Sequence, residues 1–124
     1  MTKRPKIRSA ATIVPVRDVA ATVAFYEDTL AFERRFMAKD GSFAIVCSGP
    51  AEIQLLRTED AGALAATADN IAIYLTVDGV DALYATLKDG LDRLPEGRVR
   101  APFDQTYGMR EFHVKDPDGC LLIV

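Results

Sequence analysis

Metal and thiol chemistry have little to work with in this chain, whose 124 residues include one histidine and two cysteines. Cys47 and Cys120 stand far apart in apolar, strand-like runs. Neither a disulfide framework nor a Cys-x-x-Cys zinc pair is present, so both are read as reduced core residues of a cytoplasmic protein. No apolar run approaches the roughly 18 residues that a membrane helix needs, which argues against a membrane partner. The one basic cluster, Lys3, Arg4, Lys6 and Arg8, has no apolar stretch behind it. It is read as a solvated leader and not as a signal peptide. With a formal net charge of −3, the chain lacks the basic balance expected of a nucleic-acid binder. It also lacks a glycine-rich phosphate loop, a Gly-x-Ser-x-Gly elbow and a Cys/His nucleophile pair.

What is present suits one domain built of two small halves. The hydrophobic content of 49% is that of a globular protein, and the length is enough to bury a core without staples. Ala11 to Val16 is a β-branched run that reads as a strand. Asp18 then offers a helix N-cap, and Val19, Val23, Tyr26 and Leu30 recur at helical spacing through Leu30. Strands are predicted over Phe32 to Ala38, Phe43 to Cys47 and Ala51 to Arg57, separated by Lys39-Asp40-Gly41 and Ser48-Gly49-Pro50 turns. The Ala-rich stretch from Thr58 to Asp69 is weakly patterned and reads as a linker that can hold a helical turn.

The same order then returns. Ile71 to Val77 is a predicted strand, and Asp78 can cap a helix to about Lys88, with Val80, Leu83, Tyr84 and Leu87 on one face. Asp89-Gly90 is expected to close that helix, with glycine as its C-cap. Strands follow near Arg98 to Ala101, at Met109 to Lys115 and at Cys120 to Val124. The last two are joined by Asp116-Pro117-Asp118-Gly119, a type I turn sequence. Val16, Val19, Ala21 and Ala24 match Val77, Val80, Ala82 and Ala85 at a single offset (77 − 16 = 61). Such self-similarity implies two βαβββ units in tandem, an α+β fold. The first spans about 10–57, the linker 58–69 and the second about 70–124. A helix covers one face of each sheet, and two curling sheets would leave a cupped cavity suited to a ligand. Phe25, Tyr26 and Tyr84 fall on helix faces at core spacing.

Three stretches resemble the vicinal-oxygen-chelate superfamily of glyoxalases, bleomycin-resistance proteins and dioxygenases. They are Val14-Pro-Val-Arg-Asp-Val-Ala-Ala-Thr-Val-Ala-Phe-Tyr26, Val77-Asp-Gly-Val-Asp-Ala-Leu-Tyr84 and Tyr107-Gly-Met-Arg-Glu-Phe-His-Val-Lys-Asp-Pro-Asp-Gly119. The resemblance runs from about Ala11 to Val124 and is greatest to bleomycin-resistance proteins. It implies a homodimer, whose chains often build the site together. Metal enzymes of the group hold their ion with two ligands from each half. The motifs place those positions at Ala11, Gln54, Ala72 and Ile123, and only Gln54 has donor atoms. No metal and no other cofactor are therefore expected, and no catalytic residue is assigned.

Strand alternation puts Glu52 and Leu56 on the face of Gln54, Tyr74 on the face of Ala72, and Leu121 on the face of Ile123. The resemblance puts Met109, Glu111 and His113 on the cavity side, with Arg110, Phe112 and Val114 toward the helix. Phe103 and Tyr107, in the loop Pro102 to Tyr107, can flank the mouth and stack on a planar ligand. Glu111 and His113 stand about 7 Å apart along the strand, which leaves direct pairing open. A buried carboxylate needs a partner. Arg110, on the opposite face, cannot supply it, and a cationic ligand can. The expected ligand-binding set is thus Glu52, Gln54, Tyr74, Phe103, Tyr107, Met109, Glu111 and His113. The expected function is non-catalytic binding and sequestration of a small cationic molecule such as a bleomycin-type antibiotic. The alternatives are an enzyme of the superfamily with an atypical or absent metal site, and a dimer whose cavity is filled by its own side chains.

Overall fold

A computed structural model describes residues 3–124. Lys3 to Ala10 are exposed and form no regular element, so the basic cluster lies outside the fold. The first unit is β1 (Ala11–Val16), α1 (Val19–Leu30), β2 (Glu33–Met37), β3 (Phe43–Ser48) and β4 (Ala51–Arg57). Its sheet order is β1-β4-β3-β2, with β1 and β4 parallel and the other pairs antiparallel. After α2 (Ala61–Asn70) come β5 (Ala72–Tyr74), α3 (Val80–Asp92), β6 (Val99–Asp104), β7 (Arg110–Lys115) and β8 (Leu121–Ile123). The second sheet repeats the pattern as β5-β8-β7-β6, again with only its first pair parallel. The tandem α+β fold is thus what the repeat implied. No helix among the described residues is long and apolar enough to cross a membrane.

The helix starts and stops show which local signals prevail. Asp18 caps α1 as expected, its carboxylate accepting from Ala21 N at 3.0 Å. Asp78 does not cap α3. Gly79 takes the N-cap position in a left-handed conformation (φ 80°), which separates Asp78 from the first helical turn. Nor does Asp89-Gly90 end that helix, which runs on to Asp92 and buries Leu91 completely. Gly90 is instead the point where α3 crosses α1: a Cβ there would lie 3.2 Å from Asp28 O and 3.5 Å from Thr29 Cα. Backbone atoms cannot swing aside. Gly90→Val is therefore expected to cost about 1–3 kcal/mol by overpacking, even though replacing a mid-helix glycine ordinarily helps. A melting temperature equal to or above that of the parent would show that the crossing relaxes.

The presumed linker is the clearest correction. Ala61 to Asn70 is a full helix, capped by Asp60, which accepts from Gly62 N and Ala63 N. Ala-rich sequence has the highest intrinsic helix propensity. Its pattern is weak because only Leu64 is buried, in a helix that lies along β1. Two strands also differ from expectation. β5 is only three residues long, and β6 continues through Pro102 to Asp104. Pro102 is tolerated because β6 is an edge strand whose ladder shifts register between Arg100 and Phe103.

A single apolar core joins the halves. It runs from Val14, Val16, Tyr26 and Leu55 in the first unit to Leu91, Phe112, Val114 and Leu122 in the second. Phe25 and Tyr26 are buried in it, and Tyr84 packs edge-on against Phe112, ring centres 5.3 Å apart. Cys47 and Cys120 are buried free thiols, and burial pushes the Cys120 thiol up to about 11. The units meet through their helix-covered sides, α1 against α3. Their opposite sheet faces are left open, and on them lie exposed apolar side chains: Ile13, Phe36 and Leu56 on the first, Tyr74 on the second.

Candidate functional site

On β4 the burial alternates as predicted. Ile53 and Leu55 enter the core, while Glu52, Gln54 and Leu56 take the open face. Gln54 sits in register between Ile13 of β1 and Ile45 of β3, so its strand neighbours on that face are apolar. Its amide Nε2 donates to Glu52 Oε2 at 2.9 Å, and Arg35 donates to Glu52 Oε1 at 2.6 Å. Arg35 was not among the expected residues. It stands in a bulge of β2, where the pairing steps from Arg34↔Val46 to Phe36↔Ile45. The extra residue breaks the alternation, which sends Arg34 to Glu27 of α1 and Phe36 to the open face. Alternation from Glu33, which shares a row with Cys47 and Glu52, also puts Arg35 on that face, and it is Phe36 whose side the bulge changes.

The second sheet carries a denser group. Tyr74, Ile123, His113 and Arg100 stand in one row across its four strands. Phe112 and Val114 point to the core, and Arg110, on the helix side, reaches Asp81 of α3 at 2.9 Å and Asp104 at 3.2 Å. Glu111 is only 1% exposed. Its carboxylate accepts from Gln105 Nε2 at 2.6 Å and from Tyr107 OH at 2.9 Å, and it meets His113 Nε2 at 3.1 Å. Burial pushes this carboxyl up, but the hydrogen bonds from Gln105, His113 and Tyr107 outweigh it and hold the group below the ordinary glutamate range. Tyr74 is raised by desolvation first and then by the charge and hydrogen bonding of Glu111.

The expectation that a ligand cation would complete Glu111 is therefore corrected: the chain supplies the partners itself. A pair two residues apart on one strand becomes possible because the side chains lean together over the sheet. Phe103 belongs to β6 and not to a loop, and packs edge-on against His113 at 5.0 Å. The Arg100 guanidinium lies over the Phe103 ring at 3.5 Å. Tyr107 and Met109 flank the group and are 59% and 43% exposed. Gln105, missed from sequence, lies two residues before Tyr107 and was legible only as part of the same loop.

The expected ligand-binding residues thus form two groups, one on each open sheet face. Glu52 and Gln54 are on the first; Tyr74, Phe103, Tyr107, Met109, Glu111 and His113 are on the second. The four motif-placed metal positions keep their pseudo-symmetry. Ala11 pairs with Glu52, two residues from Gln54, and Ala72 pairs with Leu121, two residues from Ile123. The residues present do not fit a metal there, since Ala11, Ala72 and Ile123 offer no donor atom. Among the described residues no cluster of three or more His, Cys, Asp or Glu side chains could hold an ion.

The sequence model of the glyoxalase/bleomycin resistance protein/dioxygenase superfamily matches residues 8–124. The chain belongs to that superfamily. Among solved structures of this superfamily fold, it is similar to the bleomycin-binding protein of bleomycin-producing Streptomyces verticillus in complex with copper(II)-bleomycin. The two share 28% identity, with 97% of this chain and 96% of that one covered and a TM-score of 0.78. A bleomycin resistance determinant encoded on the transposon Tn5 is 25% identical over 94% of this chain and 95% of its own, with a TM-score of 0.74. A glyoxalase-related enzyme from Clostridium phytofermentans shares the fold at 18% identity, with a TM-score of 0.71 and coverage of 98% and 96%. No curated protein matches the chain by sequence.

Proposed function

We propose that this superfamily member binds and sequesters a small molecule without changing it covalently, a bleomycin-type glycopeptide being the first candidate, and that it works as a homodimer. The observation that carries this reading is the second sheet face. There Tyr74, Tyr107, Phe103 and Met109 offer ring and thioether surface over a carboxylate already satisfied by its own chain. Apolar and aromatic walls with a few fixed polar groups are how small-molecule sites are built. Open apolar side chains on both sheets, including Ile13 and Leu56, support pairing with a second copy, which would cover those faces and close the site. The likeness to two bleomycin-linked structures at 25% identity or more supports the choice of ligand.

The test is a thermal melt over a concentration series of bleomycin, metal-free and as the copper(II) complex, with sedimentation to give the oligomeric state. A ligand present at about 100 times its dissociation constant adds roughly 2.7 kcal/mol to the folded state, a shift of several degrees for a domain of this size. A saturable rise is expected. No shift with either form would remove bleomycin, and a monomer at all concentrations would remove the dimer.

A second reading, metal-free acid–base catalysis, has one observation in its favour: the imidazole of His113 is oriented by a buried carboxylate at 3.1 Å.

A further inference from the structure

The seam between the two units holds a cavity of about 120 Å³. Leu30 and Phe32 of the first unit and Leu87, Phe112 and Val124 of the second form its floor, none of them more than 8% exposed. Leu83 of α3 and Ala51 of β4 stand half-buried in its walls. The cavity is separate from the open sheet faces. Phe112 and Val124 point to the core, while their strand neighbours Glu111, His113 and Ile123 take the other side by alternation. No charged side chain lines the cavity, and its polar side chains, Ser48 and Thr76, are exposed and lie at the mouth. The backbone of the floor is engaged within the fold. Phe112 exchanges both of its hydrogen bonds with Val124 at 3.0 Å, and Phe32 N donates to Tyr26 O at 2.9 Å. The buried side-chain oxygens without a partner, on Tyr26 and Asp116, are not among its walls. A water molecule at the floor would need about two to four polar partners, and the floor offers none.

We infer that this seam cavity is a second binding site, which takes a compact, uncharged hydrocarbon group, a single ring or a short branched chain. An apolar cavity of about 150 Å³ is large enough to stay dry and bind benzene, and the volume here is of that order. The walls forfeit dispersion contacts across the empty space, and a guest restores them to both units at once. A charged or strongly polar guest would lose its hydration at the floor and gain no partner there. The site owes nothing to the sheet-face reading, so the bleomycin titration bears on the sheet faces alone.

The test is a titration of the intact protein with benzene, followed by methyl and aromatic carbon NMR. Saturable shifts are expected below the solubility limit of benzene at Leu30, Leu83, Leu87 and Val124, with Tyr74 and Phe103 unmoved. Leu83→Phe extends a ring into the space and is expected to weaken binding by about tenfold or more. Ala51→Val narrows the cavity from the first unit and is expected to weaken binding in the same sense, which serves if the phenylalanine variant does not fold. Dioxane, a ring of similar size with two oxygens, is expected to bind about tenfold more weakly than benzene, because its acceptors lose water and meet no donor. Absence of saturable shifts, shifts confined to the open sheet faces, unchanged affinity in a folded variant with the cavity narrowed, or equal affinity for dioxane would each overturn the inference.

Discussion

Asp116→Asn is expected to stabilise the protein at neutral pH and to remove most of one pH dependence. Asp116 opens the β7–β8 turn and is 1% exposed. Its Oδ1 accepts from Asp118 N and Cys120 N, both at 2.9 Å, while Oδ2 is buried with no partner, as is the hydroxyl of Tyr26. Burial raises this carboxyl to about 6; the Asp118 charge also raises it, and the two backbone N–H groups and Arg98 oppose the rise without cancelling it. A carboxyl that takes its proton more readily when folded makes the protein less stable as pH climbs from the unfolded value, about 4, to the folded one, about 6; above that the penalty is constant. The shift corresponds to an upper figure on the order of 3 kcal/mol at pH 7. Asparagine keeps the acceptor and drops the charge. Its bonds to the two N–H groups are weaker than those of a carboxylate, so the expected net gain at pH 7.5 is about 1–2 kcal/mol, with little change near pH 4. Denaturant melts at several pH values read both. A variant less stable at pH 7.5, or one that keeps the slope, would show that water or a shared proton already satisfies Oδ2.

Glu111→Leu is expected to act in the opposite direction and by more. The leucine fills the space but leaves Gln105 Nε2, Tyr107 OH and His113 Nε2 without their acceptor. Hydrogen bonds to a charged group contribute about 1.5–3 kcal/mol each. Tyr107 can turn to water, and the desolvation cost of the carboxylate disappears, so the expected loss is about 2–4 kcal/mol, a fall in melting temperature of about 10 °C. Glu111→Gln is expected to lose about half as much. Because the folded carboxyl lies below its ordinary range, the stability it contributes is full above the unfolded value and is lost as pH falls through the folded one. Asp116 and Glu111 therefore tilt the stability curve in opposite senses. The Asp116→Asn protein should weaken steadily on acidification, and Glu111→Leu should remove that acid loss. A leucine variant as stable as the parent would mean that apolar packing fully replaces the network, as happens at some buried charged groups.

Legibility in the sequence followed the range of the interactions involved. Asp18 and the Val19–Leu30 spacing announced α1 because a cap and an apolar stripe are local. The alternation of β4 announced which of Glu52, Ile53, Gln54 and Leu55 would be buried, because one sheet face is covered and the other open. Gly90 misled because its role is a contact with α1. The Ala-rich helix α2 misled because a helix that buries only Leu64 leaves no periodic trace. Arg35 stayed hidden because its partner Glu52 lies on another strand, a pairing that no feature local to β2 reveals.

The sequence by itself determined the repeat, the two helices that carry apolar stripes, the identity of the core strands and the loss of donor atoms at Ala11, Ala72 and Ile123. All of these are properties of residue type and period. Only the tertiary structure decided that Glu111 is completed by Gln105, Tyr107 and His113, that Arg35 and Gln54 share Glu52, and that Asp116 and Tyr26 keep unpaired oxygens. Each of these depends on side chains from different strands or turns meeting within hydrogen-bond distance, and register, bulges and helix crossings set those meetings.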